Sequence, residues 1–313
     1  MSPTERAPRN TSAEFTQFYE KLREQYFGQA KLPSRLYHYT DASGLIGIVK
    51  NRELWITNYK YMNDQAELTH GVALVNQILR LIRENVSIQS GSEADIFFSL
   101  IADSLSTTSV DVDPYIACFS EEMNDLNQWR VYGREAGSYC IEFDAAKLAQ
   151  KLGKDRLLLF RAEYDFKQQS EFLKALLAEL VNGKMVSLTA APENDERVAL
   201  IEDLAAKADA AIAFEITRYK MAPFKVEREW RAIATAWNLE DARKLDFRVS
   251  RFGLTPYCKI NLADEYKDLP ITQIVAGPSR YPEHSAHSLM QLIRSLGLAE
   301  QVQCAASHLP IQY

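Results

Sequence analysis

Three short segments carry residue types at spacings that chemistry could use. The first is Tyr37-His38-Tyr39-Thr40, an alternating run that reads as a strand entering a capped helix. Alternation puts His38 and Thr40 on one side of the strand and Tyr37 and Tyr39 on the other, so His38 and Thr40 could line one cleft. The competing reading is a core histidine satisfied by a backbone carbonyl, with Thr40 merely ending the strand. The second segment is Lys225-Val226-Glu227-Arg228-Glu229-Trp230-Arg231. If extended, it faces Glu227, Glu229 and Arg231 one way and Arg228 and Trp230 the other. Two such carboxylates repel when both are ionised, and a partly buried cleft then raises one pKa unless Arg231 or a cationic ligand compensates. That pairing suits a developing positive charge, such as the oxocarbenium ion formed when a glycosidic bond breaks. A solvated ladder of alternating charge on an edge strand is the alternative. The third segment is Cys118-Phe119-Ser120 at a strand end, followed by a helix holding Trp129 and Tyr132. At i, i+3 these two share a face and could offer an aromatic surface to a flat heterocycle, while core packing competes, more strongly for Trp129. Met62-Asn63-Asp64-Gln65 reads as a helix cap with polar groups that could face a ligand.

Other signals exclude more than they suggest. There is no GxGxxG after a strand, no P-loop, no HExxH and no GxSxG, so Rossmann, P-loop and serine-hydrolase readings lack support. His284 and His287 form an HxxH without a third ligand, and Asp111 and Asp113 before Pro114 are explained by turn chemistry, so no metal is expected. The four cysteines are scattered with no CxxC pair, which argues against a zinc site or a secreted disulfide scaffold and fits a reducing cytoplasm. A polar N-terminus and charge-broken apolar stretches give no signal peptide or membrane span. A net charge of −6 in 313 residues removes a global basic footprint for nucleic acid but leaves room for a local groove.

The elements that must position these residues follow from periodicity. Residues 1–10 read as disordered and 12–27 as a leading helix through Phe15, Phe18, Tyr19, Leu22 and Tyr26. A strand at 36–39, an Asp41-capped helix with Leu45, Ile48 and Val49 on one face, and a strand at 53–57 are too brief for a doubly wound repeat and indicate an α+β core. Helices at about 65–84 and 92–105 follow, then strands at 114–119 and 138–143 around a helix at about 124–134, and a strand at 156–165. The Ala- and Leu-rich stretch 167–222 reads as a helical insertion. Strands at 229–236, 246–252, 256–262 and 271–277, a helix at 283–296 and a strand near 301–306 complete the chain. The expected organisation is an N-terminal tail and helix over 1–34, then a single α+β domain over 35–313 carrying the insertion.

As an ordered set, LYHYT, ELWIT, NDQAE, IACFS with WRVYG, CIEF, EREWR and IVAGP resembles a bacterial family of unknown function, DUF2971, from about residue 36 to the C-terminus. Tyr-His-x-Thr followed by an amphipathic helix and a strand is also similar, distantly, to the opening of the NAD-dependent ADP-ribosyltransferase fold. That resemblance implies a mixed or antiparallel split sheet with flanking helices. It implies that His38 fixes the nicotinamide ribose, with Tyr39 and Thr40 beside it. Phe119 and Ser120 match the middle strand, with Tyr132, or its rival Trp129, stacking on nicotinamide. The Glu-x-Glu form makes Glu229 the catalytic residue and Glu227 its helper in orienting an acceptor, with Arg231 and Asn63 as further ligand contacts. Tyr39 stands where many members have Gly. The implied activity is nicotinamide release through an oxocarbenium-like transition state, with NAD as substrate and an unidentified protein, nucleic-acid or small-molecule acceptor. A bacterial toxin or phage-defence setting, with a neutralising partner protein, would be usual for such families. The competing functions are a catalytically silent nucleotide-binding or protein-interaction module, and an NAD-dependent RNA 2′-phosphotransferase. For the latter, no paired basic residues follow His38.

Overall fold

A computed structural model of the chain describes residues 11–28, 30–62, 65–86, 88–106, 114–132, 137–155, 157–180, 194–234, 245–265 and 268–309. Helix α1 (Thr11–Phe27) leads into strand β1 (Arg35–Asp41), helix α2 (Ala42–Asn51) and strand β2 (Glu53–Asn58). Helices α3 (Gln65–Val86) and α4 (Glu93–Ser106) follow, then β3 (Tyr115–Ser120), α5 (Leu126–Tyr132), β4 (Ser138–Asp144), α6 (Ala145–Lys154) and β5 (Leu158–Arg161). Helices α7 (Phe166–Glu179) and α8 (Asn194–Ile216) precede β6 (Glu229–Ala234), β7 (Leu245–Ser250), β8 (Gly253–Asn261), β9 (Ile271–Ala276), α9 (Pro282–Ser295) and β10 (Gln303–Ala306). Asp41 caps α2 by accepting from the Gly44 N–H, and Leu45, Ile48 and Val49 are its buried face. Helix α6 has no counterpart in the sequence reading. Asp144 caps it, and Ala145, Leu148 and Leu152 bury one stripe.

The chain divides into two compact units. Unit 1 comprises Met1–Ala30, Thr69–Val110 and Asp165–Tyr219 and is helical, holding α1, most of α3, α4, α7 and α8. Phe27 and Tyr19 of α1 pack on Phe172 of α7 at 4.9 and 6.3 Å between ring centroids. Buried Glu215 accepts from the Tyr19 hydroxyl at 2.6 Å and from Arg218 at 2.8 Å, so its charge has both a counter-ion and a hydrogen bond. The predicted insertion at 167–222 supplies α7 and α8 to this unit.

Unit 2 comprises Lys31–Leu68, Asp111–Tyr164 and Lys220–Tyr313. It is a mixed α/β unit with an open ten-stranded sheet and flanking helices. Every strand pair is antiparallel except β9 with β10. The main core, including Leu36, Leu54, Ile56, Phe119, Ile141 and Trp230, covers one face of the sheet.

One irregularity of this sheet matters for the site. Strand β6 pairs with β3 along its whole length, from Tyr115↔Ala234 to Ser120↔Glu229, and so occupies one edge of β3. The other edge is shared: β1 touches it at Tyr37↔Ser120, and β2 at Thr57↔Ile116 and Asn58↔Tyr115. Between those points β1 and β2 part, and the sheet is split beside Cys118.

Candidate functional site

A split edge leaves backbone groups without ladder partners, and buried groups of that kind must find others. The carbonyl of Cys118 finds His38, whose Nδ1 lies 2.9 Å away. A carbonyl only accepts, so Nδ1 carries the proton. Burial lowers the pKa of His38, against the opposing pull of the Cys118 carbonyl, and favours the neutral ring. On β1, His38 alternates with Leu36 toward the main core and packs against Phe119 at 5.7 Å, while Tyr37 and Tyr39 take the other face.

On that other face, β3 and β6 align Cys118 with Arg231 and Ser120 with Glu229. The segment before β6 is not extended. Residues Ala222–Glu227 form a 3₁₀ helix started by Pro223, and Arg228 closes it in the left-handed region at φ 44°. Glu227 and Glu229 therefore converge through a turn rather than through strand alternation. The Ser120 hydroxyl holds this turn by donating to the Glu227 carbonyl at 2.8 Å.

The convergence point is Lys220. Its Nζ lies 2.7 Å from Glu227 Oε2 and 2.5 Å from Glu229 Oε2. Arg231 grips Glu229 from the other side, Nε to Oε1 at 2.8 Å and Nη2 to Oε2 at 3.1 Å. The result is a cluster of two carboxylates and two cations in which Lys220, Glu229 and Arg231 are buried. Burial alone would raise the Glu229 pKa, but Arg231 and Lys220 outweigh it and hold the carboxyl at about 2. The Cys118 thiol faces the same carboxylate, and burial together with that charge pushes its pKa up. Tyr164 accepts the Glu229 backbone N–H at 2.9 Å, and burial raises its phenol to about 12.

The cluster forms one wall of a cleft with two lobes. The first, about 470 Å³, is lined by Ser120, Tyr132, Lys220, Glu227, Glu229 and Arg231 among others. The second, about 500 Å³, is lined by His38, Thr40, Trp55, Tyr61, Arg248 and neighbouring residues. Tyr39, Met62, Cys118, Tyr132 and Arg251 line both, so the lobes are continuous at the split. Burial raises the Tyr132 pKa, with Cys118 and Glu229 adding to the rise, and the phenol stays neutral.

The expected site residues thus part company. Glu227, Glu229, Arg231, Ser120 and Tyr132 come together in the first lobe, and His38 and Thr40 lie in the second. Tyr39 touches both lobes, but its hydroxyl braces the 121–125 loop, donating to the Glu122 carbonyl and accepting from the Asp125 N–H. Phe119 is buried in the main core and also borders the first lobe, whereas Trp129 belongs to a core. Trp129 is 1% exposed, donates to Asn124 at 3.1 Å and meets the Tyr39 ring edge-on, which leaves Tyr132 as the aromatic open to the cleft. Asn63 lies outside the described residues. Lys220, Arg248 and Arg251 line the cleft without a counterpart in the sequence reading. Lys220 stands nine positions before Glu229 in a segment without periodic signal, and only the turn brings it round.

Among the described residues no group of three or more His, Cys, Asp or Glu is arranged to hold a metal, and no helix is long and apolar enough to cross a membrane. No curated protein and no solved structure matches the chain. Residues 128–232, which run from α5 into the Glu229 strand, match the family model described as a protein of unknown function (DUF2971).

Proposed function

We propose that unit 2 binds NAD in its cleft and is an ADP-ribosyltransferase, its split sheet being of that enzyme type. The observation that carries this reading is the distribution of residues over two continuous lobes. The Glu227–Glu229 pair and Tyr132 line one, His38 and Thr40 line the other, and an extended two-part ligand can touch both sets. In this reading Glu229 accepts a hydroxyl of the nicotinamide ribose, and its charge stabilises the cation that develops as the C1′–N bond breaks. The bonding pair leaves with nicotinamide, which Tyr132 stacks against. The acceptor then attacks C1′ and loses a proton, with Glu227, the more exposed carboxylate, positioned to orient it. His38 acts through the backbone, fixing the Cys118 carbonyl at the split, and so positions β3 rather than polarising the substrate.

A second reading, a nucleotide-binding module without turnover, is favoured by one observation. Glu229 already has two counter-ions, so the four-charge cluster is neutral and little of its field is left for a developing cation.

The test is nicotinamide release from NAD by the wild type and by Glu229→Gln and Glu227→Gln, with cell lysate supplying acceptors. Transfer predicts release that falls by about 10²–10³-fold in Glu229→Gln, the range for losing one preorganised charge-stabilising group. NAD binding without release supports the module. Neither binding nor release refutes both.

A further inference from the structure

The β7–β8 hairpin pairs from Leu245↔Cys258 to Ser250↔Gly253 and turns at Gly253, where φ is 83°. Phe247 is exposed, while Arg248, Val249 and Ser250 border the second lobe. The Arg248 guanidinium donates to Thr57 Oγ1 at 2.9 Å, which fixes it at the lobe wall. Among the described residues no carboxylate forms an ion pair with it. Asp41, whose charge reaches it, caps α2 at the Gly44 N–H. The hydroxyls of Ser250 and Thr255 lie 2.7 Å apart on the same lobe. Arg251, at the hairpin turn, stacks over Phe252 at 4.6 Å and lines both lobes.

Cationic groups thus stand in both lobes. Lys220 and Arg231 in the first lobe are matched by Glu227 and Glu229. Arg248 and Arg251 bring cationic forks to the second lobe and to the junction. Each lobe falls within the about 300–1,000 Å³ typical of small-molecule sites, so each can take one nucleoside. In a dinucleotide that spans them, the doubly negative diphosphate lies at the junction.

We propose that the β7–β8 hairpin is the diphosphate clamp of the cleft: Arg248 and Arg251 bind the diphosphate of a dinucleotide where the lobes meet. The lobe of Glu227 and Glu229 then receives the nicotinamide riboside end and the lobe of Trp55 and Tyr61 the other nucleoside. This rests on the reading of the cleft as an NAD site, and it fixes the direction in which the ligand lies. Arginine forks match phosphate oxygens in pairs, and such charge-assisted bonds are about twice as strong as neutral ones.

The test is calorimetric titration of the full chain and its Arg248→Gln and Arg251→Gln variants with ADP, inorganic pyrophosphate and nicotinamide riboside as separate probes. Arg248 sits on an exposed edge hairpin, and circular dichroism checks that each variant is folded. The clamp predicts at least a tenfold loss of ADP and pyrophosphate affinity in each variant, weakening of wild-type binding by added salt, and unchanged affinity for nicotinamide riboside. ADP and pyrophosphate bound as tightly by Arg248→Gln as by the wild type, or by neither protein, overturn the clamp. The two readings separate in the same experiment. Arg248-dependent ADP binding without nicotinamide release upholds the clamp and sinks the transferase. Glu229-dependent release with an unchanged KM for NAD in Arg248→Gln does the reverse.

Discussion

Replacing Lys220 by Met removes the cation shared by Glu227 and Glu229 while keeping most of the side-chain volume. The Nζ is 2.7 and 2.5 Å from the two carboxylates, and the residue is only 6% exposed. Breaking a buried pair by deleting one partner costs about 3–5 kcal/mol, and Arg231 still holds Glu229 through two hydrogen bonds, so about 3 kcal/mol is expected at pH 7. The pH dependence gives the sign. A carboxyl depressed from 4.5 to about 2 adds stability that is present above the unfolded value and lost as the pH falls through the folded one. Without Lys220 the two glutamates repel, Glu229 is depressed less, and the variant has less of this stability to lose. The gap between the proteins should be constant above about pH 5.5 and narrow below about 4.5. Urea unfolding followed by tryptophan fluorescence measures it, since all four tryptophans lie in the chain segments of unit 2. A Lys220→Met variant within 0.5 kcal/mol of the wild type, roughly the noise of surface substitutions, would refute the reasoning. So would a gap that does not change with pH.

Two further stability predictions follow from the same geometry, beside those for Glu229 and Arg248. His38→Leu leaves the Cys118 carbonyl without its side-chain donor and should cost about 1–3 kcal/mol at pH 7.5, read as a shift in urea midpoint. Because burial lowers the His38 pKa below its unfolded 6.5, the wild type loses stability as the pH falls through 6.5 and the variant does not, so this gap should shrink toward pH 5. A gap that widens instead would show a native state that prefers the protonated ring. Gly277→Ala would place a Cβ 2.8 Å from Trp129 Cε3 and 2.1 Å from Ser138 Oγ. The serine can rotate, but Trp129 is locked by Asn124 and Tyr39, so overpacking should cost about 1–3 kcal/mol, and a neutral Gly277→Ala would mean that this core is looser than it looks.

Local structure was largely legible in the residues. The Asp41 cap, the Leu45–Ile48–Val49 stripe and the alternating strands from LYHY onward all formed where short-range periodicity places them. Residues 225–228 depart from it. Their alternating charges fit an extended run into the 229–236 strand, yet Pro223 and the Ser120 hydroxyl draw the segment into a 3₁₀ turn with Arg228 in the left-handed region. That departure is what brings the two glutamates onto one cation. Helix α6 was also missed, its cap and apolar stripe being hidden between two strand signals.

Sequence by itself determined that a histidine strand, an aromatic helix and a paired-glutamate strand exist, because each is a matter of residue type and period. It could not decide what faces each group, since the turn that brings Lys220 to both glutamates, the split that hands the Cys118 carbonyl to His38, and the burial of Trp129 against Tyr39, Cys140 and Val275 are set by tertiary contacts. The His38–Cys118 contact joins residues 80 positions apart. Coulomb energy and desolvation, which set the charge state of Glu229, depend on distance in space and not along the chain.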